Sequence, residues 1–295
     1  MTLRLLLSYY SHRNTDITKI ITAYRGRCEV FADSGAYSAH TVGARIDLAD
    51  YAGWLRNWQG LITTASTLDV IGDPAATERN TSRLEGMGLR VLPVFHTGGP
   101  WERLEQLCVQ YPYVALGGMV PYRFRVPEVM RWLIRCFQIG RECGTRFHGF
   151  GLTRVEMLRR LPFYSVDSST CAAGSRYGRL VFWDRVRSNL VTVHAGVPAE
   201  AHRHAQLITA HGLNPDSVGR PGFAVSSQRA PAQYAVEQQQ MLRIPALALT
   251  RMGEWLASVH KVPAPSGWTA TGTVLYLAEG DPRRVIALAR SITND

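Results

Sequence analysis

The chain has 295 residues, of which 46% are hydrophobic and 19% charged, a balance that excludes a disordered chain and leaves enough apolar surface for a large core. The formal net charge is +10, and arginine supplies nearly all of it, because lysine occurs only at Lys19 and Lys261. That balance favours a polyanionic partner, since guanidinium groups grip phosphate bidentately, although a solvated arginine-rich surface gives the same count. No run of about 18 uncharged apolar residues is present, and Met1 to Leu7 lacks a secretion signal's apolar run and cleavage site. A cytoplasmic chain without a membrane span is expected.

Short apolar runs alternate with amphipathic ones. Leu3 to Leu7 reads as a strand, Ile17 to Tyr24 as a helix, and Cys28 to Ala32 as a second strand stopping at Asp33-Ser34-Gly35. Leu48 to Trp58 is helical, and Thr67 to Ile71 reads as a third strand stopping at Gly72-Asp73-Pro74. Helix Ala75 to Met87, strand Arg90 to Phe95, helix Trp101 to Val109 and strand Tyr113 to Leu116 follow, the last ending at Gly117-Gly118. Pro127 to Cys143 is a long helix with proline at its start, where a missing N–H costs nothing. Arg146 to Phe150 is a strand, Thr153 to Arg160 a helix, and Phe163 to Val166 a strand ending at Asp167.

Seven strands separated by helices imply parallel βαβ units, and Gly, Asp or Ser after each strand favours a (β/α)8 TIM-type barrel. One domain over residues 1–295 is expected, with a β-hairpin and helical insertion over about 176–228. Within it, Arg179 to Asp184 and Leu190 to His194 suggest the hairpin and Ala199 to His211 a helix. Gln233 to His260 suggests a long helix broken near Pro245, Thr273 to Leu277 a late strand and Pro282 to Ser291 a last helix. The pattern leaves open which late segment is the eighth strand.

The five cysteines, Cys28, Cys108, Cys136, Cys143 and Cys171, are odd in number and contain no CxxC pair. Buried thiols are expected, with no disulfide framework, metal site or cofactor. His202, His204 and His211 have no metal-binding spacing and read as a solvated face.

Asp33 and Asp167 are the sharpest pair. Each ends an apolar strand and is followed by serine, Ala32-Asp33-Ser34 and Val166-Asp167-Ser168. At barrel strand ends both carboxylates face one mouth, where one can serve as nucleophile and the other as general acid/base. Glycosyl transfer needs that division, because the sugar carbon gains oxocarbenium character while the leaving base needs a proton. A strand-end aspartate that merely caps a turn gives the same local pattern.

Four segments, in order and at similar spacing, resemble the tRNA-guanine transglycosylase superfamily of (β/α)8 barrels. They are Asp33-Ser34-Gly35-Ala36-Tyr37-Ser38, Ala115-Leu116-Gly117-Gly118-Met119, Gly149-Phe150-Gly151-Leu152-Thr153 and Tyr164-Ser165-Val166-Asp167, within residues 28 to about 180. The resemblance implies that Asp167 is the nucleophile and Asp33 the general acid/base. It implies that Tyr37 stacks on the base beside Ser34, that Asp73 reads its N–H groups, and that Gly117, Gly118 and Met119 line its exocyclic oxygen. His96 and His148 fall where the family has other pocket residues.

The family's tRNA enzymes carry a Cys-x-Cys-x2-Cys and His zinc site after the nucleophile, whereas this chain has no cysteine beyond Cys171. The segment after Asp167, with Ser168, Ser169 and Arg176, resembles a phosphate-contacting loop instead. Both departures suit the branch that places 7-deazaguanine bases, such as 7-cyano-7-deazaguanine (preQ0), in DNA, some of whose members are viral and would act in the host cytoplasm. The resemblance therefore implies DNA, free guanine and a free 7-deazaguanine base as partners, with Arg123, Arg125, Arg176 and Arg179 on the phosphates. A queuine-type tRNA enzyme, a non-catalytic nucleic-acid-binding barrel and an unrelated barrel glycosidase are the alternatives.

Overall fold

The computed structural model describes residues 2–122, 124–223 and 235–292. Eight strands form one parallel sheet: β1 (Leu3–Ser8), β2 (Cys28–Asp33), β3 (Ile62–Ala65), β4 (Val94–His96), β5 (Tyr113–Gly117), β6 (Arg146–Gly149), β7 (Ser165–Ser168) and, after the hairpin β8 (Arg179–Asp184) and β9 (Asn189–His194), β10 (Val274–Ala278). Their order is β3-β2-β1-β10-β7-β6-β5-β4. The late strand β10 thus enters between β1 and β7, the place left open by the sequence.

The sheet curls until its edges touch. Leu92 N–H donates to Ala65 O at 2.7 Å and Thr67 N–H to Leu92 O at 3.0 Å, making a single bridge between Ser66 and Leu92 rather than a continuous ladder. The arrangement is consistent with a TIM-like fold. Leu6, Phe31, Tyr113, Tyr164 and Tyr276 fill the inside of the curl, while a larger apolar core lies between the sheet and its helices. The N-terminal end is covered by Trp268, which donates to Thr64 Oγ1 at 2.9 Å beneath the Arg90 guanidinium.

The third strand is not where its apolar run predicts. It occupies Ile62–Ala65, and residues 67–71 lie outside any strand. Side chains of the following helix (Pro74–Gly86) satisfy that backbone instead: Thr77 Oγ1 accepts from Val70 N–H at 2.9 Å and Asn80 donates to Leu68 O at 2.9 Å.

Between β7 and β10, the hairpin and two short helices (Pro198–Arg203 and Ala205–Ala210) share a small core around Leu180, Phe182, Val193 and Ile208. The expected single helix over 199–211 is interrupted at His204. Residues 224–228 of the expected insertion, and Gln233, lie outside the described residues. The long helix (Ala235–His260) runs unbroken through Pro245, against expectation. Proline has no N–H to give the carbonyl four residues back, which is Met241. Gly174 packs against that carbonyl so closely that a Cβ there would lie 1.9 Å from the oxygen. Buried Ile244, Ala246, Leu247, Ala248 and Leu249 hold the helix across the proline. Among the described residues no helix is long and apolar enough to cross a membrane.

Candidate active site

Side chains alternate along a strand, so Asp33 shares the inward face of β2 with Phe31. At the strand's end the chain turns through Gly35, whose φ of +76° suits glycine and where a Cβ would meet Tyr10 Cβ at 2.7 Å. The turn aims Gly35 N–H at Asp33 Oδ2, 2.8 Å away, and Ser66 donates to Oδ1 at 3.1 Å. The Asp33 carboxyl is pushed up to about 6, first by removal from water and then by the negative charges of Asp167 and Asp69, against the pull of these hydrogen bonds.

Asp167 reaches the same end from β7, paired in register with Tyr276. It is buried, and its Oδ1 accepts Gly151 N–H at 2.8 Å. His148, fully buried between Phe31 and Phe150, places Nε2 3.3 Å from the same oxygen, an ion-pair distance without hydrogen-bond alignment. The His148 ring is fixed from its other side by Ser165 Oγ, 2.5 Å from Nδ1, and Ser165 in turn bonds Tyr113. Among the described residues no hydrogen bond reaches Asp167 Oδ2. The two aspartates thus differ: both Asp33 oxygens are occupied by donors, while Asp167 keeps one oxygen open.

A third carboxylate, Asp69, lies inside the apolar run 67–71 that predicts a strand, where no strand-end signal marks it. Its Oδ2 lies 2.8 Å from His96 Nε2, and its Oδ1 accepts from Thr77 Oγ1 at 2.8 Å. Its charge acts on Asp33. Asp73, expected at a strand end in this mouth, is instead the exposed N-cap of the Pro74–Gly86 helix, accepting Ala76 N–H at 2.9 Å. With the strand ending at Ala65, the turn that follows brings Asp69 inward and leaves Asp73 to cap. Ser66, likewise unmarked, is the first residue after that strand, and its carbonyl accepts the hydroxyl of buried Tyr51 at 2.8 Å.

The remaining expected residues divide. His96 pairs in register with Gly117, whose missing side chain makes room for the ring: a Cβ would come 3.1 Å from His96 Cδ2. The carbonyls of Gly117 and Gly118 are taken by Thr97, at 3.2 and 2.7 Å. Tyr37 is half exposed just beyond β2, whereas Met119 packs in the core between sheet and helices. Ser34 is buried, with its Oγ turned to Ala36 N–H at 3.4 Å. Ser168 is buried as well, accepting Thr170 N–H at 3.0 Å to cap a short turn, and Ser169 is exposed.

Of the expected phosphate contacts, Arg176 is engaged elsewhere, 2.9 Å from the buried carboxylate of Glu279 just past β10. Arg125 is exposed and lies 3.6 Å from Glu128, Arg179 is exposed over the Tyr177 ring, and Arg123 lies outside the described residues. Among the described residues no three His, Cys, Asp or Glu side chains converge as a metal-ligand set. No family model matches the chain, and no curated protein matches it.

Proposed function

We propose that the protein is a DNA-guanine transglycosylase of the cytoplasm, in which the curled sheet serves as a (β/α)8 barrel and exchanges guanine in DNA for a 7-deazaguanine base. The observation that carries this reading is the unequal pair at the strand C-termini. One buried carboxylate has a free oxygen, and a second holds its proton up to about 6 with no cation beside it.

Asp167 Oδ2 attacks C1′ of the target nucleotide, and the C1′–N9 bond breaks with its electron pair passing to guanine, which takes a proton from Asp33. The ester persists while guanine leaves and the incoming base enters. Asp33 then removes the N9 proton of the new base, which attacks C1′ and releases the Asp167 carboxylate. A carboxyl titrating at about 6 suits both proton transfers, since roughly one in ten molecules still carries the proton at pH 7. Gly151 N–H positions the nucleophile by holding its Oδ1, with the His148 ring packed beside the same oxygen. Asp69, steadied by His96 and Thr77, takes the base-reading role first expected of Asp73. The target base must leave its stack to reach this depth, at a cost of about a few kcal/mol.

Incubation with labelled guanine and either duplex DNA or tRNA tests the reading. Label should enter DNA, and Asp167→Asn should lower incorporation by about 10^3-fold or more while the fold is kept. Label entering tRNA alone would transfer the reading to the tRNA enzymes, and label entering neither polymer would end it.

A further inference from the structure

The β8–β9 turn, the junction of the two short helices at His204 and the long helix enclose a cleft of about 970 Å3. Arg185, Arg187, Arg203 and Arg251 line it, with His202 and His211. Asp184 is the one carboxylate in the lining, and it is already engaged by the backbone N–H groups of Val186 and Arg187 and, at 3.4 Å, by the Arg187 guanidinium. Among the described residues no carboxylate forms an ion pair with Arg185 or Arg251. Arg185, Val186 and Arg187 at the tip of the turn are all exposed.

The arginines converge from separate elements. His211 Nδ1–H donates to Leu207 O at 2.8 Å, and the ring packs edge-on against Phe182. Its imidazole is held below the usual range first by burial and then, against the Leu207 hydrogen bond, by the charges of Arg251 and Arg185. Like charges gathered in a concave site raise the local concentration of anions, and guanidinium groups suit phosphate oxygens.

The cleft lies down the wall of the curled sheet: Gly174, just past the strand C-termini, packs on Met241, while Ser188 O in the β8–β9 turn accepts from Arg159 at 3.0 Å and His260, at the end of the long helix, bonds Leu158 O, both on the helix (Val155–Arg160) that leads into the N-terminal end of β7. We propose that this cleft binds the phosphodiester backbone of duplex DNA along that wall. The inference rests on the nucleic-acid reading above.

The test is the salt dependence of duplex DNA binding by the full chain. Arg185→Ala/Arg203→Ala/Arg251→Ala should reduce the slope of log K against log salt by about two to three units, and Arg185→Ala alone, on an exposed turn, by about one. Replacing the three arginines with lysine should restore most of the slope, which a merely structural role would not. An unchanged slope overturns the proposal. Arginine-dependent binding of inorganic pyrophosphate without DNA binding also overturns it, in favour of a small-anion site. A reduced slope with no guanine exchange in the wild type sustains the cleft and ends the transglycosylase reading.

Discussion

Glu29 and Asp33 stand on the same strand, an even number of residues apart, and so face the same interior, yet their surroundings are opposite. At the N-terminal end Glu29 is clasped on both oxygens, by Arg4 at 2.8 Å and Arg27 at 3.1 Å. At the C-terminal end Asp33 has only a backbone N–H and a serine hydroxyl, and the two charged side chains that bear on it, Asp167 and Asp69, are both negative. The first arrangement neutralises a carboxylate with two guanidinium groups. The second keeps a proton available near neutral pH and costs stability. On the proposed reading, this division would follow the general rule for parallel barrels, in which one end of the strands holds the fold and the other carries the chemistry.

Asp33→Asn should separate the two roles most strongly. Guanine exchange should fall on the order of 10^2- to 10^4-fold, because the proton shuttle is gone. Stability should move the other way. The carboxyl binds its proton more tightly folded, at about 6, than at its ordinary 3.8, so its contribution to stability is complete below about pH 4 and is lost as pH rises through about 6. An asparagine has no such loss, so the variant should be more stable than wild type above pH 6, by at most about 2 to 3 kcal/mol. Thermal unfolding at pH 4 and pH 8 reads this, and a difference independent of pH would remove the strain from Asp33.

Glu29→Gln should do the reverse. It leaves the half-buried Arg4 without its charge partner and should cost about 1 to 3 kcal/mol in denaturant unfolding, discounted for the solvent that still reaches the arginines. The pH profile of exchange should stay in place. A shifted profile would mean that the two ends of β2 are coupled.

Asp69 and Asp73 offer the finest division. On the proposed reading, Asp69→Asn should weaken binding of free guanine by about 10- to 100-fold, because a half-buried reader with the wrong partner is left unpaired. Asp73→Ala should cost about 1 kcal/mol through the lost helix cap and leave guanine binding unchanged. Calorimetry of both variants decides the assignment, and the opposite outcome would return base reading to Asp73.

Much of this was legible in the residues. Strands β1, β2, β5, β6 and β7, most of the helices between them and the late hairpin follow from local periodicity, and Asp33 and Asp167 stand out because each ends an apolar run. The third strand was misplaced because Ile62-Thr63-Thr64-Ala65 is half polar, while the more apolar run after it has its backbone bonds made by Thr77 and Asn80. The long helix was expected to break because Pro245 is a local breaker, and what sustains it is packing along its length.

The sequence by itself determined the alternation of strands and helices and the two aspartates at strand ends, because both depend on neighbours a few residues away. Which carboxylates find a cation was decided only by the tertiary structure. Arg4 meets Glu29 across 25 residues and Arg176 meets Glu279 across 103, while Ser66 is the group that closes on Asp33 across 33. Charge compensation depends on distances of a few ångströms between side chains that only the curled sheet brings together, and no local pattern of residues encodes it.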